Sequence, residues 1–226
     1  MLISHKHKFV TIDIPKTGTR SMRMSFEPLG VLDIIGAPYS TKDNPFEQHG
    51  SALSAQKEFA QNDWDWQEYY KWVIVRNPWA RYFSFFKYFK SYGEKYLRQD
   101  KSINWGEVQI NQGKHCVHLF KNKDDQTILK NIILNNQPQD YYYCNANGEI
   151  IVDHIAEFDH LSDEFARLCN QVGINAPELQ HGNKSTSGLD ANKIYNQELI
   201  DLVAKKEKSV IAVSYTHLTL PTNREV

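Results

Sequence analysis

Two short apolar runs stand out along the chain, each closed by a proline-bearing polar turn and followed by helical periodicity. Phe9 to Ile14 is a β-branched run of strand length that Pro15 ends. Gly18 then supplies the residue a sharp turn needs, and a helix is predicted from about Thr19, with Met22, Phe26 and Leu29 in step. The second run, Trp72 to Val75, is continuously apolar, as expected of a parallel strand covered on both faces. It ends in Arg76-Asn77-Pro78, and proline is favoured at the first position of a helix. On the predicted helix Asn77, Arg81, Ser84 and Tyr88 make a polar stripe, while Trp79, Phe83, Phe86 and Lys90 mark another face.

Between the runs, 30–50 reads as loop, broken by Gly36, Pro38, Asn44, Pro45 and Gly50, and it holds His49. Ser51 to Asn62 is predicted helical, with Leu53, Gln56 or Lys57, and Ala60 on its inner face. Farther on, Asp140 to Cys144 and Glu149 to Val152 predict a β-hairpin turning at Asn147-Gly148. Ile155 to Phe158 leads to a helix from about Ser162, with Phe165, Leu168, Cys169 and Val172 as its stripe and Gly173 as its stop. A later helix carries Ile194, Leu199, Leu202 and Val203. Alternating strand and helix signals predict a three-layer α/β, P-loop-like fold with a mainly parallel central sheet flanked by helices.

A single domain over 1–208 is expected, with 209–226 as an irregular, non-native tail. The run from Ser214 to Val226 resembles translated sequencing-adaptor read-through more than a protein terminus, the alternative being a genuine last strand from Ser209 to Leu220.

Lysine and arginine number 26 against 27 acidic residues in 226, so the net charge of −1 gives no global reason to expect nucleic acid as a partner. Any anion site has to be local. Three irregularly spaced cysteines, Cys116, Cys144 and Cys169, suggest no disulfide framework and fit a reducing compartment. His115-Cys-Val-His118 has no second ligand pair at metal-like spacing, so no metal site is expected. With no apolar run of membrane-spanning length and a leader of His5, Lys6, His7 and Lys8, the reading is a cytoplasmic protein without a transmembrane segment.

The strand, loop and helix around Pro15 aim backbone N–H groups and a helix N-terminus at one spot, and Lys16, Thr17, Thr19, Arg20 and Ser21 add donors there. The lysine precedes the glycine, so the usual GxxxxGK[ST] phosphate loop is absent. Pro15-Lys-Thr-Gly-Thr-x-Ser21 instead resembles the 5′-phosphosulfate loop of sulfotransferases that use 3′-phosphoadenosine 5′-phosphosulfate (PAPS). Arg76-Asn-Pro-x-x-Arg81-x-x-Ser84 resembles the 3′-phosphate motif of the same family, including the arginine-to-serine spacing.

The resemblance spans Phe9 to about Lys206 and is to the carbohydrate-type (Golgi-type or bacterial) branch, where a hairpin and helix follow in the same order. It implies PAPS as donor, a hydroxylated acceptor, a carbohydrate in that branch, and no metal. Lys16 would neutralise the leaving phosphate. Thr17, Gly18, Thr19, Arg20 and Ser21 would hold the 5′-phosphosulfate, and Arg76 with Ser84 the 3′-phosphate. An Asn-x-Ser segment that closes over the nucleotide in that family corresponds to Asn183, Lys184 and Ser185.

His49-Gly-Ser-Ala52 resembles a His-x-x-Ala pattern of that branch, which makes His49 the candidate general base, with Glu27 a weaker substitute. The acidic residue after the family's aromatic appears as Asp159. Glu157 replaces an arginine often found before it and is assigned no role. Trp64, Trp66, Tyr88 and Trp105 are candidates to stack on sugar rings. Two other functions compete: a P-loop-like kinase of nucleotides or small molecules, and a non-catalytic relic that retains nucleotide or glycan affinity.

Overall fold

The computed structural model describes residues 1–180 and 189–214, so Asn183, Lys184 and Ser185 lie outside the described residues. In chain order the elements are β1 (Leu2–Ser4), β2 (Phe9–Ile12), α1 (Thr19–Phe26), β3 (Ile34–Ile35), α2 (Ala52–Gln61), β4 (Tyr70–Val75), α3 (Pro78–Leu97), α4 (Glu107–Phe120), α5 (Asp125–Asn135), β5 (His154–Glu157), α6 (Leu161–Gln171), α7 (Ala191–Ile194), α8 (Gln197–Lys206) and α9 (Lys208–Ser214). The described residues fall into two compact units, one of 1–76, 137–180 and 209–214, the other of 77–136 and 189–208.

The first unit is a mixed α/β layer structure built on a sheet of order β3-β1-β2-β4-β5. β2, β4 and β5 run parallel, with Thr11 beside Trp72 and Trp72 beside His154. β1 pairs antiparallel with both β2 and β3. The expected mainly parallel sheet is therefore parallel only through β2, β4 and β5. Leu2–Ser4 and Ile34–Ile35 are too short to give a periodic signal, and both add antiparallel strands.

Alternation along the strands puts Leu2, Phe9, Trp72, Ile74 and Ala156 on one face, where they form a core with Met22 and Phe26 of α1 and Phe165, Leu168 and Cys169 of α6. Phe26 is its hinge point, with its ring 5.3 Å from Phe9 and 4.9 Å from Phe165. Fully burying a side chain of this size is worth about 1.5–3 kcal/mol, so this face fixes α1, and with it the loop before α1. The other strand positions, Ile3, Val10, Ile12, Val73 and Val75, are equally buried.

Several local expectations need correction. Leu29 is 40% exposed, because α1 ends at Phe26 and a tighter 3₁₀ turn containing Pro28 follows over Glu27–Leu29. The inner face of α2 is Ala52, Ala55 and Phe59, one register step from the predicted stripe. Phe59 sets that register by packing edge-on against Trp66 and Tyr69 at 5.0 and 4.9 Å. The hairpin shrinks to a single bridge between Cys144 and Ile150 around the Asn145–Glu149 turn, since Asp140–Tyr142 coils as a 3₁₀ turn instead of extending. Lys208–Ser214 is helical, which removes the strand alternative for those residues.

In the second unit α3 begins as predicted, with Pro78 at its first turn and the Asn77 side chain accepting from the Ala80 N–H. Its predicted polar stripe runs from buried to exposed, with Asn77 buried, Ser84 half-buried and Tyr88 40% exposed. Arg81 is fully buried, and its Nη1 donates to Glu207 Oε1 at 3.0 Å, while the Tyr82 hydroxyl donates to the same oxygen at 2.9 Å. Burial beside that carboxylate pushes the Tyr82 pKa far up.

Candidate functional site

The loop between β2 and α1 takes its shape from two left-handed residues, Lys16 at φ 73° and Gly18 at φ 83°. Such residues turn successive N–H groups to one side and build anion-binding concavities. Gly18 is the N-cap of α1 and offers no side-chain acceptor; the Ser21 N–H closes the turn onto the Gly18 carbonyl at 2.9 Å, and the N–H groups before it open the helix N-terminus toward a ligand. Thr19 and Ser21 sit in that first turn, and Arg20 is exposed beside them.

Thr17 points the other way. It is fully buried and its hydroxyl donates to the Ile14 carbonyl at 2.9 Å, so the hydroxyl contact expected of it is spent inside the loop. Any other residue at Gly18 would be strained at φ 83° and would have to displace its neighbours, because a Cβ there would lie 2.8 Å from Leu161 Cδ2 and 2.9 Å from Phe158 Cε2. The donor set, main-chain N–H groups with one lysine and flanking hydroxyls, fits a phosphosulfate.

Arg76, at the end of β4, meets this loop. Its Nη1 donates to the Lys16 carbonyl at 3.3 Å, and its guanidinium lies 4.3 Å from the centre of the Phe158 ring. Its main chain is held by Gln139, whose amide accepts from the Arg76 N–H and donates to the Arg76 carbonyl, both at 2.9 Å. Ser84 sits half-buried on α3 in the second unit.

His49 is brought to the base of the loop. Its Nδ1 is 2.7 Å from the main-chain oxygen of Asp13, the residue just after β2. A carbonyl can only accept, so Nδ1 carries the proton and Nε2 is the basic nitrogen of the ring. Asp13 is itself anchored: Oδ2 lies 2.8 Å from the Met1 ammonium, and Oδ1 accepts from Thr11 at 3.3 Å. Burial lowers the ammonium pKa and the Asp13 charge opposes that shift.

Two clefts adjoin these residues. One of about 250 Å³ is lined by His49 with Glu47, Ser51, Ser54, Glu58 and Tyr141. The other, about 350 Å³, runs along α1 past Asp13, Thr19, Arg20 and Gln48. Glu27 also lines the second cleft but is engaged by Arg23 Nε at 2.8 Å.

Among the aromatic candidates, Trp66 is buried, Trp64 stacks on Phe46 at 6.2 Å, and Trp105 packs on Tyr92 and Tyr96. Tyr88 is 40% exposed. Asp13, Gln139 and Phe158 were given no role from sequence. An aspartate interrupting the apolar run Phe9–Ile14 is a readable signal for the first, and the aromatic before Asp159 is one for Phe158, whereas nothing local marks Gln139. Among the described residues no group of three His, Cys, Asp or Glu side chains could hold a metal ion, and no helix is long and apolar enough to cross a membrane.

Comparison with protein families matches residues 1–211 to the model described as the Sulfotransferase family. Comparison with curated proteins and with solved structures gives no match.

Proposed function

The chain belongs to the sulfotransferase family, and on that premise we propose that it moves a sulfuryl group from PAPS to a hydroxyl of a carbohydrate acceptor. The observation that carries this reading is the approach of Arg76 Nη1 to the Lys16 carbonyl. It brings Arg76, the arginine that opens the second motif, against the loop of the first, which supports a ligand with a phosphate at each end. The polar lining of the cleft at His49, with Ser51, Ser54, Glu47 and Glu58, suits a hydroxylated acceptor.

In this mechanism the N–H groups from Thr17 to Arg20 hold the phosphosulfate, with the Thr19 and Ser21 hydroxyls beside them, and the Lys16 ammonium neutralises the charge that grows on the leaving phosphate. Arg76 binds the 3′-phosphate, and the family resemblance adds Ser84 and Asn183, Lys184 and Ser185 as further ligands. PAPS supplies an activated sulfuryl group, whose S–O bond to phosphate breaks as the acceptor oxygen bonds to sulfur. His49 Nε2 accepts the acceptor's proton as it attacks.

The test is a thermal-shift titration with 3′-phosphoadenosine 5′-phosphate, ADP and magnesium ATP, run beside a sulfuryl-transfer assay. Selective stabilisation by the 3′-phosphorylated nucleotide, lost in Arg76→Ala, is the expected result. A shift with magnesium ATP alone would replace this reading with a kinase.

A further inference from the structure

We infer that Phe158 is a positioning residue that sets the preference for a 3′-phosphorylated nucleotide, by holding Arg76 against the anion loop. The inference rests on the proposed nucleotide reading and adds a residue to it. Three contacts meet at one ring. The Arg76 guanidinium lies over its face at 4.3 Å from the centroid. Its Cε2 and Cδ2 edge fills the space above Gly18, 2.9 and 3.2 Å from where a Cβ would stand. Phe158 itself follows the last residue of β5, Glu157, so its position is fixed by the same parallel ladder that fixes β4, with Val75 paired to Glu157.

An arginine reaching from a strand end has many rotamers, and ordering it on binding costs free energy that weakens the contact it makes. Stacking on an aromatic face restricts those rotamers before the ligand arrives and leaves the in-plane N–H groups to donate. The Gln139 amide does the equivalent for the main chain of Arg76, clamping both its N–H and its carbonyl at 2.9 Å. One ring therefore touches the glycine of the 5′ loop and the arginine of the 3′ motif. This spatial bridge is absent from either motif read alone.

The experiment compares 3′-phosphoadenosine 5′-phosphate with adenosine 5′-phosphate by isothermal titration, the two differing only in the 3′-phosphate. Leucine keeps an apolar filler above Gly18 but lacks a face for the guanidinium. Phe158→Leu is expected to weaken the 3′-phosphorylated nucleotide about tenfold while changing adenosine 5′-phosphate less than about twofold. Phe158→Tyr, which keeps the ring, should restore the ratio. In an Arg76→Ala background Phe158→Leu should no longer change it.

Equal weakening of both nucleotides, or additive effects with Arg76→Ala, would overturn the inference and make Phe158 a packing residue of the loop. Unchanged binding in a folded Phe158→Leu protein would overturn it as well. A wild-type protein with no preference between the two nucleotides would instead overturn the nucleotide reading itself, and this inference with it.

Discussion

The His49 imidazole donates from Nδ1 to the main-chain carbonyl of Asp13 at 2.7 Å, which ties the candidate base to the residue that ends the strand before the anion loop. A main-chain acceptor does not titrate, so this bond holds one tautomer and directs basicity to Nε2. The ring has no part in gripping the nucleotide in the proposed mechanism. His49→Ala should therefore lower turnover by about 10² to 10⁴-fold and change the affinity for 3′-phosphoadenosine 5′-phosphate by less than about twofold. Steady-state sulfuryl transfer and nucleotide titration on the same preparation check both halves, and normal turnover would remove His49 from the mechanism.

The loop glycine offers a sharper structural test. Gly18 combines φ 83° with a Cβ position 2.8 Å from Leu161 and 2.9 Å from Phe158, whereas Gly30, at φ 61°, has nothing within 4 Å. Alanine at Gly30 should cost only the strain of a left-handed residue, about 1–2 kcal/mol. Alanine at Gly18 carries similar strain and must also displace two side chains under the loop. Urea denaturation and nucleotide titration of both variants should show a modest stability loss for Gly30→Ala with binding intact, and a more than tenfold loss of binding for Gly18→Ala. Wild-type affinity in Gly18→Ala would mean that the shape of the loop does not make the anion site.

The parts of this architecture legible in sequence were those with a local signature. The run Trp72–Val75 announces a buried parallel strand because both faces must be apolar, and Pro78 and Gly173 punctuate helices by their own backbone preferences. The antiparallel strands β1 and β3 are three and two residues long and exist because β2 offers an edge to β1 and β1 in turn offers one to β3, so no periodicity could reveal them. The site divides in the same way. Lys16, Gly18 and Arg76 stand in recognisable strings, while Gln139 and Phe158 act across 63 residues of chain and across sheet neighbours, at a distance that spacing does not encode. Arg81 shows the same limit: its place in a polar stripe on a helix does not reveal that the chain returns Glu207 to meet it in the interior.

That pair supports a stability prediction. Arg81 and Glu207 are both fully buried, and the Glu207 carboxylate accepts from Arg81 and from the Tyr82 hydroxyl. Removing one ion of a buried pair leaves the other desolvated, at a cost of about 3–5 kcal/mol, whereas replacing both by apolar residues of similar volume is often neutral. Glu207→Ala should thus lower the urea midpoint strongly, and Arg81→Met with Glu207→Leu should recover much of the loss. Since Arg81 serves structure in this account, the double variant should keep the wild-type ratio of affinities for the nucleotides with and without a 3′-phosphate. A changed ratio in a stable double variant would place Arg81 among the ligand contacts.

Thiol chemistry checks the packing of both units from the inside. Cys116 and Cys169 are fully buried, and desolvation pushes each thiol up from its ordinary 9.0 to about 11. Cys144 is half-buried and is also shifted upward, by burial and then by the Asp140 charge. The thiolate is the reactive form, so at pH 8 iodoacetamide should modify Cys144 first and reach the other two only when urea opens the chain. The same shifts give stability an alkaline dependence with a definite sign. Below pH 9 the thiols are neutral folded and unfolded, and contribute no slope. Between about 9 and 11 the unfolded chain has released protons that the folded chain still holds, so unfolding becomes easier as pH rises. Replacing Cys116 and Cys169 by alanine should flatten that part of the stability curve measured by urea denaturation, although each variant starts lower because it leaves a small cavity. A slope unchanged by both substitutions would assign the alkaline loss to other groups and contradict the burial of these thiols.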